Sequence, residues 1–185
     1  MKKIILSLTA TLASILSFSQ ERIFTKSASI SFFSKTTMEN IEAHNNNAVT
    51  VLDKATGQVE FSVLMKGFEF QKELMQEHFN ENYVESDKYP KGVFKGKIND
   101  PALVDFTKDG EYKTTTTGIL SIHGETKAIT APVIFIVTNG TITASSEFTI
   151  VLSDYKISIP SLVKDKIEGK IKIKVVSRYL PVKIK

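Results

Sequence analysis

A chain of 185 residues with 24 Lys and Arg against 20 Asp and Glu carries a formal charge of +4, and it holds no Cys and no Trp but 12 Phe and 5 Tyr. The missing Cys excludes disulfides, an Fe–S centre, a thiol nucleophile and a lipidated N-terminal Cys. The small positive balance, part of it carried by Lys2 and Lys3, indicates no nucleic-acid partner.

Lys2 and Lys3 precede an apolar run from Ile4 to Phe18 broken only by Ser and Thr, and Ser17-Phe18-Ser19 places small residues at the two positions a signal peptidase reads. Residues 1–19 are therefore expected to be a cleaved signal, leaving residues 20–185 as a single domain in a periplasmic or secreted location. A stable membrane anchor fits less well, because a spanning helix needs about 20 predominantly apolar residues and lacks such a cleavage site. An exported chain without disulfides depends on core packing and sheet hydrogen bonds, which favours a well-packed barrel or sandwich.

Past the leader, apolar residues recur with the period of a strand: Ala28-Ile30-Phe32, Val49-Val51 and Val59-Phe61-Val63. The polar stretch His44-Asn45-Asn46-Asn47 reads as a loop, and Thr56-Gly57 as a turn. The pattern then changes. At 100° per residue Leu74, Met75, His78 and Phe79 share one side of a helix predicted over 71–83, with Glu73, Gln76 and Glu77 mostly opposite. Pro90 cannot continue a helix and biases Tyr89 toward extended backbone, so Val93 to Ile98 begins as a strand. After Pro101 come strand-like runs at 112–122, 132–138, 141–152, 155–159 and 168–176.

These runs amount to about nine strand candidates, enough for a closed barrel of roughly eight plus a short extra piece. Asn139-Gly140 predicts a two-residue type I′ hairpin, which needs positive φ at both positions. Asp109-Gly110 is a weaker signal of the same kind. Asn139-Gly140-Thr141 is also a glycosylation sequon, but the hairpin accounts for it without sugar. Gly96 and Gly118, inside strands, mark bending or a close approach.

The helix, the following Asn82-Tyr83, the stretch Glu85-Ser86-Asp87-Lys88-Tyr89-Pro90 and Phe94-Lys95-Gly96 resemble the YceI-like family. Farther on, 118–127 (GILSIHGETK) and Asp154-Tyr155-Lys156-Ile157 are similar to further segments of that family, in the same order, so the resemblance covers roughly the whole mature chain. It implies a lipocalin-like antiparallel β-barrel that binds lipid or polyisoprenoid in the periplasm.

Individual polar residues each have a plain reading. His78, on the apolar stripe of the helix, is expected to be satisfied by one hydrogen bond at a helix–barrel contact, and His123, before Gly124, to flank a turn. The three His lack metal-ligand spacing. Glu81, Glu85 and Asp87 read as solvent-facing or turn-capping groups, and no nucleophile elbow, phosphate loop or dinucleotide fingerprint is present. Lys170, Lys172 and Lys174 alternate with Ile171, Ile173 and Val175, giving a solvated lysine row with an anionic headgroup site as the functional alternative.

The predicted fold is thus all-β, an antiparallel barrel of about eight strands with one short amphipathic helix packed on or across it. The predicted function is non-enzymatic carriage of an isoprenoid or fatty-chain ligand, such as an isoprenoid quinone or polyprenyl lipid, with no other cofactor and no metal. The strands are expected to give the cavity Phe32, Phe61, Val63, Phe94 and Leu120, then Phe135, Phe148, Ile150 and Tyr155. Leu74, Met75 and Phe79 are expected from the helix. The alternative is an envelope stress-response or interaction protein whose barrel is filled and binds no lipid; an enzyme acting on an isoprenoid ranks third. The sequence leaves the oligomeric state open.

Overall fold

Alternating side chains give a strand one apolar face, and a sheet of such strands hides that face by curling until its first and last strands meet. The computed structural model, which describes residues 22–181, does this. Its elements are β1 (Arg22–Lys35), β2 (Asn40–Asp53), β3 (Gln58–Leu64), β4 (Glu69–Phe70), a helix α1 (Glu73–His78), β5 (Lys91–Ile98), β6 (Gly110–Ile122), β7 (Glu125–Thr138), β8 (Thr141–Val151) and β9 (Lys170–Tyr179). The sheet runs β1-β9-β8-β7-β6-β5-β3-β2, and β1 pairs again with β2, so eight antiparallel strands close a barrel. Two-residue β4 is added to β2 outside this ring, opposite Ala43 and His44.

The two ends of the barrel differ. At one end the connection 99–109 folds beneath the strands: Val104 is buried, and the Phe106 ring meets Phe135 edge-on at 5.3 Å. Leu52, Ile98, Val137, Ile142 and Tyr179 complete that cluster. At the other end a second cluster includes Ile30, Ile171 and Ile173, with Phe79 and Tyr83 of the helical segment packed against it. A π turn over Phe79–Tyr83 prolongs α1, so the helical segment predicted over 71–83 occupies 73–83. It lies across this second opening.

Two hairpins have the geometry of type I′ turns. Asn139 and Gly140 have φ of 49° and 74° between the paired Thr138 and Thr141. His123 and Gly124, at 52° and 77°, do the same between Ile122 and Glu125, so His123 does sit in a turn. Asp109-Gly110 forms no hairpin; the Asp109 carboxylate instead accepts the Asn139 backbone N–H at 2.9 Å and braces the neighbouring turn.

Two further expectations fail. His44 to Asn47 is no loop but part of β2, at a point where the ladder with β1 slips register between Ala28 and Ile30. The Asn45 side chain, 2% exposed, makes up for the irregularity: its Oδ1 accepts the bulged Asn47 backbone N–H at 2.9 Å, and its amide donates to the Leu64 carbonyl of β3 at 3.0 Å. A bulge needs polar side chains to satisfy the backbone it unpairs, which is why the run looks like a loop in sequence. Residues 155–159 form no strand; the ninth strand is β4. The chain leaves β8 through a 3-10 turn at Leu152–Tyr155 and turns at Lys156, whose φ is 54°.

Gly140→Val places a β-branched residue at positive φ and should cost about 1–2 kcal/mol of stability. The check is the urea midpoint, which is expected to fall at unchanged m-value.

Candidate functional site

Inward-facing positions on eight strands enclose a cavity of about 490 Å³ that runs from the helix toward the closed end. The barrel is therefore not filled by its own side chains. Small residues keep it open: Ala131 and Ala144 line it, and Gly92 lines it on β5. Gly96 faces Gly118 across β5 and β6, and a Cβ on either would sit within 2.8 Å of the Phe94 ring tip. The ring thus lies along the wall over two glycines instead of crossing the lumen. This is the close approach that glycine inside a strand signals.

Of the twelve residues predicted to line the cavity, eleven do. Phe32, Phe61, Val63, Phe94, Leu120, Phe135, Phe148 and Ile150 come from the strands, and Leu74, Met75 and Phe79 from the helical segment. Tyr155 does not. β7 and β8 pair only from Ile134 to Thr138, and Pro132, which has no N–H to offer, lies where they part. The 3-10 turn carrying Tyr155 packs against β7 and β8, and Tyr155 is 2% exposed within the surrounding core. Its bulk fills the wall, not the lumen.

The helical segment is fastened by aromatic rings. Phe79 stacks on Phe32 at 5.4 Å and meets Phe68 at 5.6 Å and Phe70 at 5.2 Å. Each such pair contributes about 0.5–1.5 kcal/mol beyond area burial. Phe68 and Phe70 escaped the sequence reading because their stretch is too short to show a period. α1 itself has no buried residue, and Leu74 remains 60% exposed at the rim. His78 is exposed at that rim too, not satisfied in a packed contact.

Behind the helix, His123 ties three segments together. Its Nδ1 donates to the Tyr155 carbonyl at 2.9 Å, and its Nε2 lies 2.7 Å from the Glu85 carboxylate. Tyr89 packs edge-on against the imidazole at 4.7 Å. Glu85 is thus a partner of the turn; Asp87 pairs with Lys66, and Glu81 is exposed.

Charged groups meet the cavity at its mouth, and hydroxyls line it on the wall at Ser145 and Ser146 and gather at the closed end. At the mouth, Lys72 pairs with Glu39 at 2.8 Å, and Lys166 also lines the rim. At the closed end Thr50, Ser177 and Tyr179 line it, all buried. Ser177 and Tyr179 continue the inward alternation of β9 past Val176, which is the signal the shorter predicted strand cut off. Burial raises the Tyr179 phenol above its ordinary value, and the Thr50 and Ser177 hydroxyls beside it pull it partly back. On the outer face Lys170, Lys172 and Lys174 are exposed, and Lys172 pairs with Glu147 at 3.1 Å. Among the described residues no group of three or more His, Asp or Glu is placed to hold a metal ion.

A family model described as the YceI-like domain matches residues 21–177. Among solved structures, a polyisoprenoid binding domain from Saccharophagus degradans, implicated in plant cell wall breakdown, superimposes with a TM-score of 0.76 at 11% identity, covering 88% of this chain and 99% of that one. BcnA of Burkholderia cenocepacia gives 0.67 at 17%, covering 83% and 96%. A Campylobacter jejuni YCEI protein gives 0.55 at 17%, covering 98% and 100%. No curated protein matches the sequence.

The Lys72 ammonium bound to Glu39 holds its carboxyl below the ordinary glutamate value of 4.5, with Lys166 adding to the field. A depressed carboxyl contributes stability above the unfolded value and loses it as pH falls through the folded one. The wild type should therefore exceed Glu39→Gln in denaturation midpoint at neutral pH, with the difference shrinking on acidification below 4.5. Paired urea titrations across that range check it.

Proposed function

The chain belongs to the YceI-like family, and on that premise we propose that its barrel binds a long apolar lipid of the isoprenoid or fatty-chain class in the lumen, without catalysis. The observation that carries this reading is the cavity: about 490 Å³, continuous from the helix to the closed end, with a wall made mostly of aliphatic and aromatic side chains. At about 30 Å³ per heavy atom, the share of a water-sized group, that volume takes about 16 heavy atoms, or about three isoprene units. A longer polyprenyl chain would run out past the helix. The polyisoprenoid-binding description of a structural neighbour supports the same ligand class.

Binding of this kind is driven by removing methylene surface from water, about 0.8 kcal/mol per CH2. Affinity should therefore climb about fourfold per added carbon while the lumen fills, then level off near 16 carbons. The exposed helix suits a lid, because a segment with few buried contacts opens at less cost than the barrel itself. The lysine row is a weaker candidate site, since Lys172 already pairs with Glu147.

Ala144 faces the lumen from β8, so Ala144→Trp should occupy it and lower the affinity for a C16 fatty acid at least tenfold while the barrel still folds. Lys172→Ala should leave that affinity unchanged. Calorimetric titration of delipidated protein decides. Loss of binding in the lysine variant alone would move the site to the outer surface, and wild type that takes up no chain would end the lipid reading.

We also propose that the protein works outside the cytoplasm, after removal of residues 1–19. The support is the basic start, the apolar run and the Ser17-Phe18-Ser19 sequence. Intact mass of protein recovered from its own cell envelope should correspond to a chain beginning at Gln20.

A further inference from the structure

The closed end of the cavity gathers hydroxyls. Thr50, Ser177 and Tyr179 all line it, and they are 2%, 4% and 3% exposed. They sit beyond Val175 on β9 and next to the cluster of Leu52, Ile98 and Val137, so they lie at the end of the lumen opposite the helix. The Thr50 hydroxyl donates to the phenol oxygen of Tyr179 at 2.7 Å, across strands that are not neighbours in the sheet. That bond uses one of the three hydroxyl protons. The Ser177 hydroxyl lies beside the phenol, and a bond formed between those two would use one more, in either direction. At least one proton is left to turn toward an acceptor in the lumen.

Such a donor is expensive to keep in an apolar cavity, since a buried hydroxyl without a partner forfeits its bond to water. A lumen serving hydrocarbon alone would be better built from Val and Phe at these positions. The charges are elsewhere: Glu39, Lys72 and Lys166 line the mouth, and around the hydroxyls Thr116 donates its own proton to the Ala131 carbonyl at 3.5 Å while Leu52, Val59, Val133, Phe135 and Ala144 are apolar. With no cation there, an ionised phosphate or carboxylate would be buried unpaired, which costs far more than burying a neutral oxygen.

Given the lipid reading of the lumen, on which this rests, we infer that Thr50, Ser177 and Tyr179 form a head-group subsite for a neutral oxygen acceptor, a ketone or quinone carbonyl or an alcohol oxygen. The ligand enters head first, and its hydrocarbon chain trails back to the mouth beneath the helix. The phenol stays protonated across the neutral range, as burial favours, and is available as a donor.

Two probes of matched chain test this: farnesylacetone, a neutral ketone, and 2,6,10-trimethylpentadeca-2,6,10-triene, the same chain with a CH2 in place of the carbonyl. Wild type should bind the ketone about tenfold more tightly, and the ketone's carbonyl stretch, followed by isotope-edited infrared difference, should move to lower frequency on binding. Tyr179→Phe should remove both the preference and the shift while the affinity for the matched hydrocarbon stays within twofold. Ser177→Ala, which leaves the aromatic packing intact, should reduce the preference about threefold and serves if the tyrosine variant does not fold.

Unchanged ketone affinity and stretch in both variants would overturn the subsite and leave lipid binding standing. Equal weakening of both probes would overturn it as well, because the phenol would then act through packing. Tighter binding of farnesyl diphosphate than of the ketone, lost in Lys72→Ala or Lys166→Ala, would place the head at the mouth and overturn the orientation. Uptake of none of the three probes would remove the lipid reading and the subsite with it.

Discussion

The ladder between β1 and β2 is the constraint on which the rest of this structure depends. Two strands of 14 residues each, adjacent in sequence, pair with one another and with β9 and β3 on their far sides, so the eight strands close into a ring that opens only where β7 and β8 part. Closure leaves every strand with one face that cannot reach water except through the ends. The alternation of side chains then sorts the residues by itself: what points inward shares an enclosed space, and what points outward is solvated. That enclosed space persists because Ala131, Ala144, Gly92 and the facing pair Gly96 and Gly118 put little bulk into it.

Closure also makes the two ends of the barrel do different work. The 99–109 connection packs Val104 and Phe106 under one end and turns it into core. The opposite end receives a helix too short and too exposed to be core, held by the rings around Phe79 and by Lys72 paired with Glu39. Few of its contacts are buried, so its opening costs less than any rearrangement of the strands. A vessel with a fixed floor and a loosely fastened cover suits a cargo that must be taken up and released whole.

The polar groups follow the same division. Charged side chains gather at the mouth, where water solvates them, and neutral hydroxyls sit at the floor, where a charge would be costly. A chain with an oxygen at one end and hydrocarbon along its length matches that gradient when the oxygen leads. The His123 bridge to Glu85 and the Tyr155 carbonyl lies behind the wall and serves the frame: it joins the segment after the helix to the hairpin between β6 and β7.

Strand alternation, the amphipathic stripe of Leu74, Met75 and Phe79, and Asn139-Gly140 are local properties, set by side-chain period and backbone sterics, and the sequence alone determined them. The broad membership of the cavity was legible there too, since eleven of the twelve residues named from the sequence line it. Three things depended on contacts between segments distant in the chain. Tyr155 fills the wall because β7 and β8 part near Pro132, a fact of pairing that no local window contains. The Asn45 run is a strand because its side chain replaces a lost ladder bond at Leu64. The meeting of Thr50 with Tyr179 joins β2 to the end of β9. Whether the lumen is filled or open was likewise decided by the tertiary structure, because it turns on where the Phe94 ring rests relative to two glycines, and a pattern of inward residues gives their identity without giving the room between them.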